Sequence, residues 1–150
     1  MASSARVAPW LTRLILLPPT FVFTMIVFKY ISYPAEMAAT VGIALNTPLA
    51  ATILRIGFGA FPLGCALFTV SCLVSTRRLL TGLGFVATMM SVALAVRIFG
   101  IVVDGTLRES LRLVIAEVVL LVLTLVGVAI EVSRRRHQAQ RAVGDLSAGG

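Results

Sequence analysis

Residues 111–132 read LRLVIAEVVLLVLTLVGVAIEV. Three charged residues, Arg112, Glu117 and Glu131, interrupt an otherwise apolar run. A helix needs about 20 mostly apolar residues to cross the roughly 30 Å hydrocarbon core of a bilayer, and this stretch is long enough. Inside lipid every backbone N–H and C=O must be satisfied within the segment, so the stretch is expected to be a helix and not a strand. Three more blocks of similar length precede it, at Leu14–Tyr33, Leu49–Val74 and Leu79–Val103. The expected fold class is all-α, an integral membrane four-helix bundle.

Composition agrees. Of the 150 residues, 59% are hydrophobic and 13% charged. Soluble domains have about 45–50% and about 25% respectively, so this chain lacks the polar residues to cover a water-facing surface. The first block is expected to be a retained helix and not a cleaved leader, because Lys29 interrupts it and no small-residue cleavage site follows. Pro18 and Pro19 are expected to kink it or reset its first turn.

The formal net charge is +7, and its distribution sets an orientation. Arg6 and Arg13 precede the first block, Arg77 and Arg78 join the second to the third, and Arg134, Arg135, Arg136 and Arg141 follow the fourth. These eight cations face only Glu131 and Asp145. The opposite side holds Lys29, Arg55, Arg97, Arg108 and Arg112 against Glu36, Asp104, Glu109 and Glu117. Basic residues collect on the cytoplasmic side, so both termini are expected there, N-in/C-in. Residues 1–13 then form a cytoplasmic arm, 14–132 the membrane domain, and 133–150 a basic tail whose polar, small-residue composition suggests disorder. Residues 34–48 are long enough for a small helix or a lid on the external face. The basic residues flank apolar blocks without interleaved aromatics, which argues against nucleic acid as a partner.

Ionisable groups inside spans cost about 2.5–3.5 kcal/mol each on insertion scales and usually face protein or water. Arg55, Arg97 and Glu117 each lie about six residues from the external end of a block, roughly 9 Å deep at 1.5 Å per residue. Residues seven apart differ by only about 20° around a helix, so Ser110, Glu117, Thr124 and Glu131 form one polar seam that should point inward. Arg55, Pro62 and Thr69 form a similar series, and Pro62, which cannot donate a hydrogen bond, should free the carbonyl of Phe58. Gly57, Gly59 and Gly64 should keep that helix slim, and Ala87, Ser91 and Ala95 should mark a close-packing face. In "DGTLRES" Thr106 is a candidate N-cap with Glu109 as its capping-box partner.

The segments RIGFGAFPLGCALF and RIFGIVVDG, with a glutamate early in the last block, resemble an uncharacterised family of small bacterial four-helix membrane proteins, DoxX-like in plan. The resemblance covers residues 40–132 and rests on Arg55 with its following glycines, on Arg97 with Asp104–Gly105, and on Glu117. It implies a four-helix inner-membrane protein and carries no substrate or mechanism with it.

Enzymatic chemistry finds few candidates. His137, the single histidine, lies in the tail, which excludes a bis-histidine haem within the membrane and a histidine-based zinc site. Cys65 and Cys72 have neither redox nor zinc spacing and are expected to be buried and quiet. Ser110 stands about 10 Å along the axis from Glu117, too far for direct activation. No catalytic residue, metal or cofactor is therefore expected. Arg55, Arg97, Glu117 and Asp104 are the candidate ligand-binding residues, around an outward-facing polar cavity whose charge would suit a small anion or a lipid headgroup. The alternatives are a small dimeric transporter and a structural or assembly subunit of a membrane complex. The bilayer is the expected partner, with a homo-oligomer or larger complex as the expected assembly.

Overall fold

The computed structural model describes residues 3–148, with side chains described for residues 9–140. Arg6, Arg141 and Asp145, which entered the charge argument, lie outside the described side chains. The regular elements among the described residues are all helical: α1 (Ser3–Ser32), α2 (Pro34–Thr40), α3 (Pro48–Arg55), a π turn (Ile56–Ala60), α4 (Phe61–Val74), α5 (Leu79–Asp104) and α6 (Leu107–Ala148). Four stretches are long and apolar enough to cross a membrane: Pro9–Ser32, Pro48–Val74, Leu79–Asp104 and Leu107–Gln140. Large apolar side chains point outward along them, including Phe99 at 69% and Val102 at 77% exposure. So much exposed apolar surface suits lipid and not water, as expected of a multi-pass membrane protein.

The chain forms two compact units. The first takes residues up to Leu16 together with those from Cys72 onward. Its frame is the antiparallel pair α5 and α6. Gly105 ends α5 at φ +69°, a left-handed conformation that favours glycine, and its N–H donates to the Ile101 carbonyl. Thr106 precedes α6, and the Ser110 hydroxyl donates to its Oγ1 at 3.4 Å. The core gathers Leu79, Leu83 and Val86 with Leu16 of α1 and Cys72 of α4, all nearly or fully buried. Gly82 and Gly127 permit this closeness. A Cβ on Gly82 would stand 2.7 Å from the Cys72 Cβ, and one on Gly127 would stand 2.9 Å from Leu83 Cδ2. Of the anticipated close-packing face, Ala87 is buried, but Ser91 and Ala95 are exposed. Small residues allow close approach without compelling it, and the covered side of α5 is set by Leu79, Leu83 and Val86.

The second unit runs from Leu17 to Ser71. The connection between the first two membrane-length stretches contains the short helix α2, as its length allows. Thr47 caps α3, its Oγ1 accepting the Ala50 N–H at 3.1 Å, with Pro48 at the first helical position. About two turns later the helix widens. Pro62 has no N–H for the Phe58 carbonyl, and the Phe61 N–H reaches back five residues to Ile56. Of the three glycines expected to slim this helix, Gly59 makes the close approach, a Cβ there meeting Ile31 Cγ1 at 2.9 Å. Gly57 and Gly64 face open space.

Two helices exceed their apolar blocks. α1 begins at Ser3 and passes Pro9, Pro18 and Pro19 without interruption. α6 continues from the membrane-length stretch through the basic segment to Ala148, so residues 133–148, whose composition suggests disorder, are helical here.

Candidate functional site

α5 and α6 are antiparallel and joined by two residues, so positions at similar distances from the turn face each other. Arg97 lies seven residues before the end of α5, about 10 Å down its axis, and Glu117 lies ten residues into α6, about 15 Å down. Their side chains meet in a fork. Arg97 Nε donates to Glu117 Oε2 at 2.8 Å, and Nη2 donates to Oε1 at 2.6 Å. The two side chains are 28% and 15% exposed. Two parallel charge-assisted bonds fix direction as well as distance, which a lysine could not do. The pair is formally neutral, so it brings two ions into a spanning segment without leaving either uncompensated.

The polar seam of α6 is the covered side of that helix, as its spacing predicts. Ser110 is half-buried, while Thr124 and Glu131 are fully buried. Thr124 satisfies its hydroxyl within the helix, donating to the Leu120 carbonyl at 2.6 Å. Glu131 anchors a second ionic cluster that the sequence reading treats only as a seam member and a countercharge. Arg134 Nε donates to Glu131 Oε2 at 2.9 Å, and Arg134 Nη2 and Arg135 Nε both donate to Oε1. Arg135 Nη2 reaches on to the Arg77 carbonyl at 2.7 Å. Oppositely charged side chains three and four residues apart are neighbours on a helix, so Glu131 followed by "RRR" at the third to fifth positions carried this signal.

The other candidates have their own surroundings. Arg55 belongs to the second compact unit, where its Nε donates to the Ile31 carbonyl at 3.2 Å. That carbonyl lies in the last turn of α1, where the helix has no partners of its own to offer. Tyr30 stacks on Phe58 beside it, ring centroids 5.1 Å apart. Asp104 ends α5 and is exposed.

The same use of arginine recurs. Arg13 Nε donates to the Leu73 carbonyl at 3.2 Å and its Nη2 to Thr76 Oγ1 at 3.0 Å, closing the end of α4. Among the described residues, Arg13 and Arg55 thus donate to backbone carbonyls in the last turns of helices, where a cation also meets the negative end of the helix dipole, while Arg135 donates to the turn between α4 and α5. Thr69 is fully buried and donates within its own helix to Cys65 and Ala66. Cys65 and Cys72 are free and buried.

No protein-family model, curated protein or solved structure matches this chain. The DoxX-like resemblance therefore rests on its short motifs alone. Of these, the structure joins Arg97 to Glu117 and places Gly105 at the helix end that needs it. Among the described residues, no three His, Cys, Asp or Glu side chains gather closely enough to hold a metal ion.

Proposed function

We propose that the chain is a non-enzymatic multi-pass protein of a bacterial inner membrane, with both termini in the cytoplasm, and that it serves as a structural or assembly subunit. The observation that carries this reading is the closed Arg97–Glu117 fork. An arginine poised for an incoming anion would keep its two-toothed edge free, and here that edge holds a carboxylate of the neighbouring helix. Such a pair fixes the register of two spanning helices, the best-attested use of buried polar partners.

One observation favours a second reading. The Arg97 side chain retains 28% exposure, and a guanidinium has five N–H donors, of which two serve Glu117. The remaining donors would suit a carboxylate or phosphate arriving from outside. Thermal unfolding of the detergent-solubilised protein separates the two. With a structural pair, the wild-type midpoint is unmoved by millimolar phosphate or succinate. A rise of several degrees in the wild type, absent in Arg97→Leu, overturns the structural reading in favour of an anion site.

Orientation has its own test. Ala44 in the external connection and His137 in the basic segment are both exposed, and both native cysteines are buried. A membrane-impermeant maleimide should label Ala44→Cys in intact spheroplasts and His137→Cys only after permeabilisation. The reverse pattern refutes the assigned topology.

A further inference from the structure

At the end of the α5–α6 pair opposite Gly105 lies a cleft of about 380 Å³, lined by Thr76, Arg77, Arg134, Arg135 and Gln138. We propose that this cleft binds the phosphate of an anionic phospholipid from the cytoplasmic leaflet.

Charge is the first support. Arg77, Arg134 and Arg135 line the cleft, and Arg13 is tied to its wall through Thr76 Oγ1. Among the described residues one carboxylate, Glu131, is paired with these cations, so the cleft keeps a positive excess.

Preorganisation is the second. Glu131 is fully buried, and it fixes Arg134 through Nε and Nη2 and Arg135 through Nε. Arg135 is fixed again by the Arg77 carbonyl, which ties α6 to the turn before α5. Both guanidinium groups are thus held in place, and Arg134 Nη1 donates further to Gln138 Oε1 at 3.5 Å. Arg77 itself is exposed, and its guanidinium has no partner among the described residues. Arg134 and Arg135 present their remaining Nη donors from fixed positions and Arg77 presents an unoccupied two-toothed edge, so together they suit a tetrahedral phosphate, which accepts from several directions at once.

Depth is the third. Glu131 lies 24 residues beyond the start of α6, about 36 Å along its axis, just past a hydrocarbon core of roughly 30 Å. The cleft therefore sits at headgroup level. Basic pockets between spanning helices on the cytoplasmic side are suited to anionic headgroups. Free phosphate offers the same chemistry without the acyl chains that would anchor it at that depth.

The assignment of leaflet rests on the proposed topology. Binding in detergent does not, so failure of one is distinguishable from failure of the other. The full-length protein in neutral detergent is titrated with dioleoylphosphatidylglycerol, dioleoylphosphatidylcholine or inorganic phosphate, and the thermal midpoint is followed. Phosphatidylglycerol should raise the midpoint saturably, and the other two should not. Arg77→Ala should fold normally, because the Arg77 backbone carbonyl that holds Arg135 remains, and should shift the phosphatidylglycerol titration to about tenfold higher lipid, on the scale of one charge-assisted contact. Arg112→Ala, an equal loss of charge toward the opposite end of α6, should leave the titration unchanged. Three results each overturn the proposal: phosphatidylcholine acting as well as phosphatidylglycerol, Arg112→Ala weakening binding as much as Arg77→Ala, or inorganic phosphate reproducing the full shift, which would assign the cleft to a free anion.

Discussion

Gly82→Ala should destabilise the protein by about 1–3 kcal/mol, the usual cost of forcing a methyl group into a packed interior. The expectation runs against helix propensity, by which alanine in place of a mid-helix glycine gains up to about 1 kcal/mol. Packing wins because the added Cβ would stand 2.7 Å from the Cys72 Cβ and 3.0 Å from Leu16 Cδ2. Leu16 can turn its terminal methyl aside, but a Cβ is fixed to its backbone, so α5 or the end of α4 must move. Gly84→Ala supplies the control on the same helix: nothing lies within 4 Å of a Cβ there, and the substitution should be neutral or slightly stabilising. The second-site change Cys72→Gly removes the atom that clashes and should recover part of the loss in Gly82→Ala. Unfolding in detergent with increasing dodecyl sulfate, followed by helical circular dichroism, reads all of these. Equal midpoints for Gly82→Ala and Gly84→Ala would show that the helices do not approach as closely as described.

Why the sequence pointed to Gly57, Gly59 and Gly64 and passed over Gly82 and Gly127 has a simple physical answer. A glycine cluster reports that a helix can be slim; which glycine meets a neighbour depends on rotation about the helix axis. Rotation is legible only while the residue count per turn stays constant. On α6, an uninterrupted α-helix, the seven-residue series Ser110, Glu117, Thr124 and Glu131 is indeed the covered side. The same spacing fails for Arg55, Pro62 and Thr69. The π turn at Ile56–Ala60 inserts one extra residue between the first two members, shifting the phase by about 100°, so Arg55 is exposed while Thr69 is fully buried. Pro62 announced that disturbance in the sequence, but its consequence for phase could not be read without knowing how the backbone would absorb the missing N–H.

Charges divide along similar lines. The membrane-length helices follow from hydropathy because burial in lipid is a bulk property summed over about 20 residues. The partner of each arginine is local geometry. Depth and sign placed Arg97 and Glu117 at one level, where an unpaired ion is costly, and the two side chains do meet. Depth says nothing of backbone acceptors, so the bond from Arg55 to the Ile31 carbonyl could not be read from it. The unfilled carbonyls of a helix C-terminus are present at every helix end and therefore leave no mark in composition.

Arg97→Leu and Glu117→Leu should each cost about 2.5–3.5 kcal/mol, the penalty for a lone ion in a span. The two losses should not be identical. Glutamate can take up a proton and become neutral, whereas arginine stays charged at any accessible pH. Arginine has a different escape, a long stem that can carry its head toward the interface from about 10 Å below the end of α5. The double variant Arg97→Leu with Glu117→Leu removes both ions together and should recover most of the stability, because an apolar pair of similar size commonly matches or exceeds a buried ion pair. A coupling of that size in the double-mutant cycle is expected only for side chains in direct contact. The exchanged pair, Arg97→Glu with Glu117→Arg, keeps one ion of each sign at the same depth and should fold, though the reversed fork has to find its geometry anew. Single losses that simply add in the double variant would mean that the two residues act independently, and the α5–α6 clasp would then have to be abandoned.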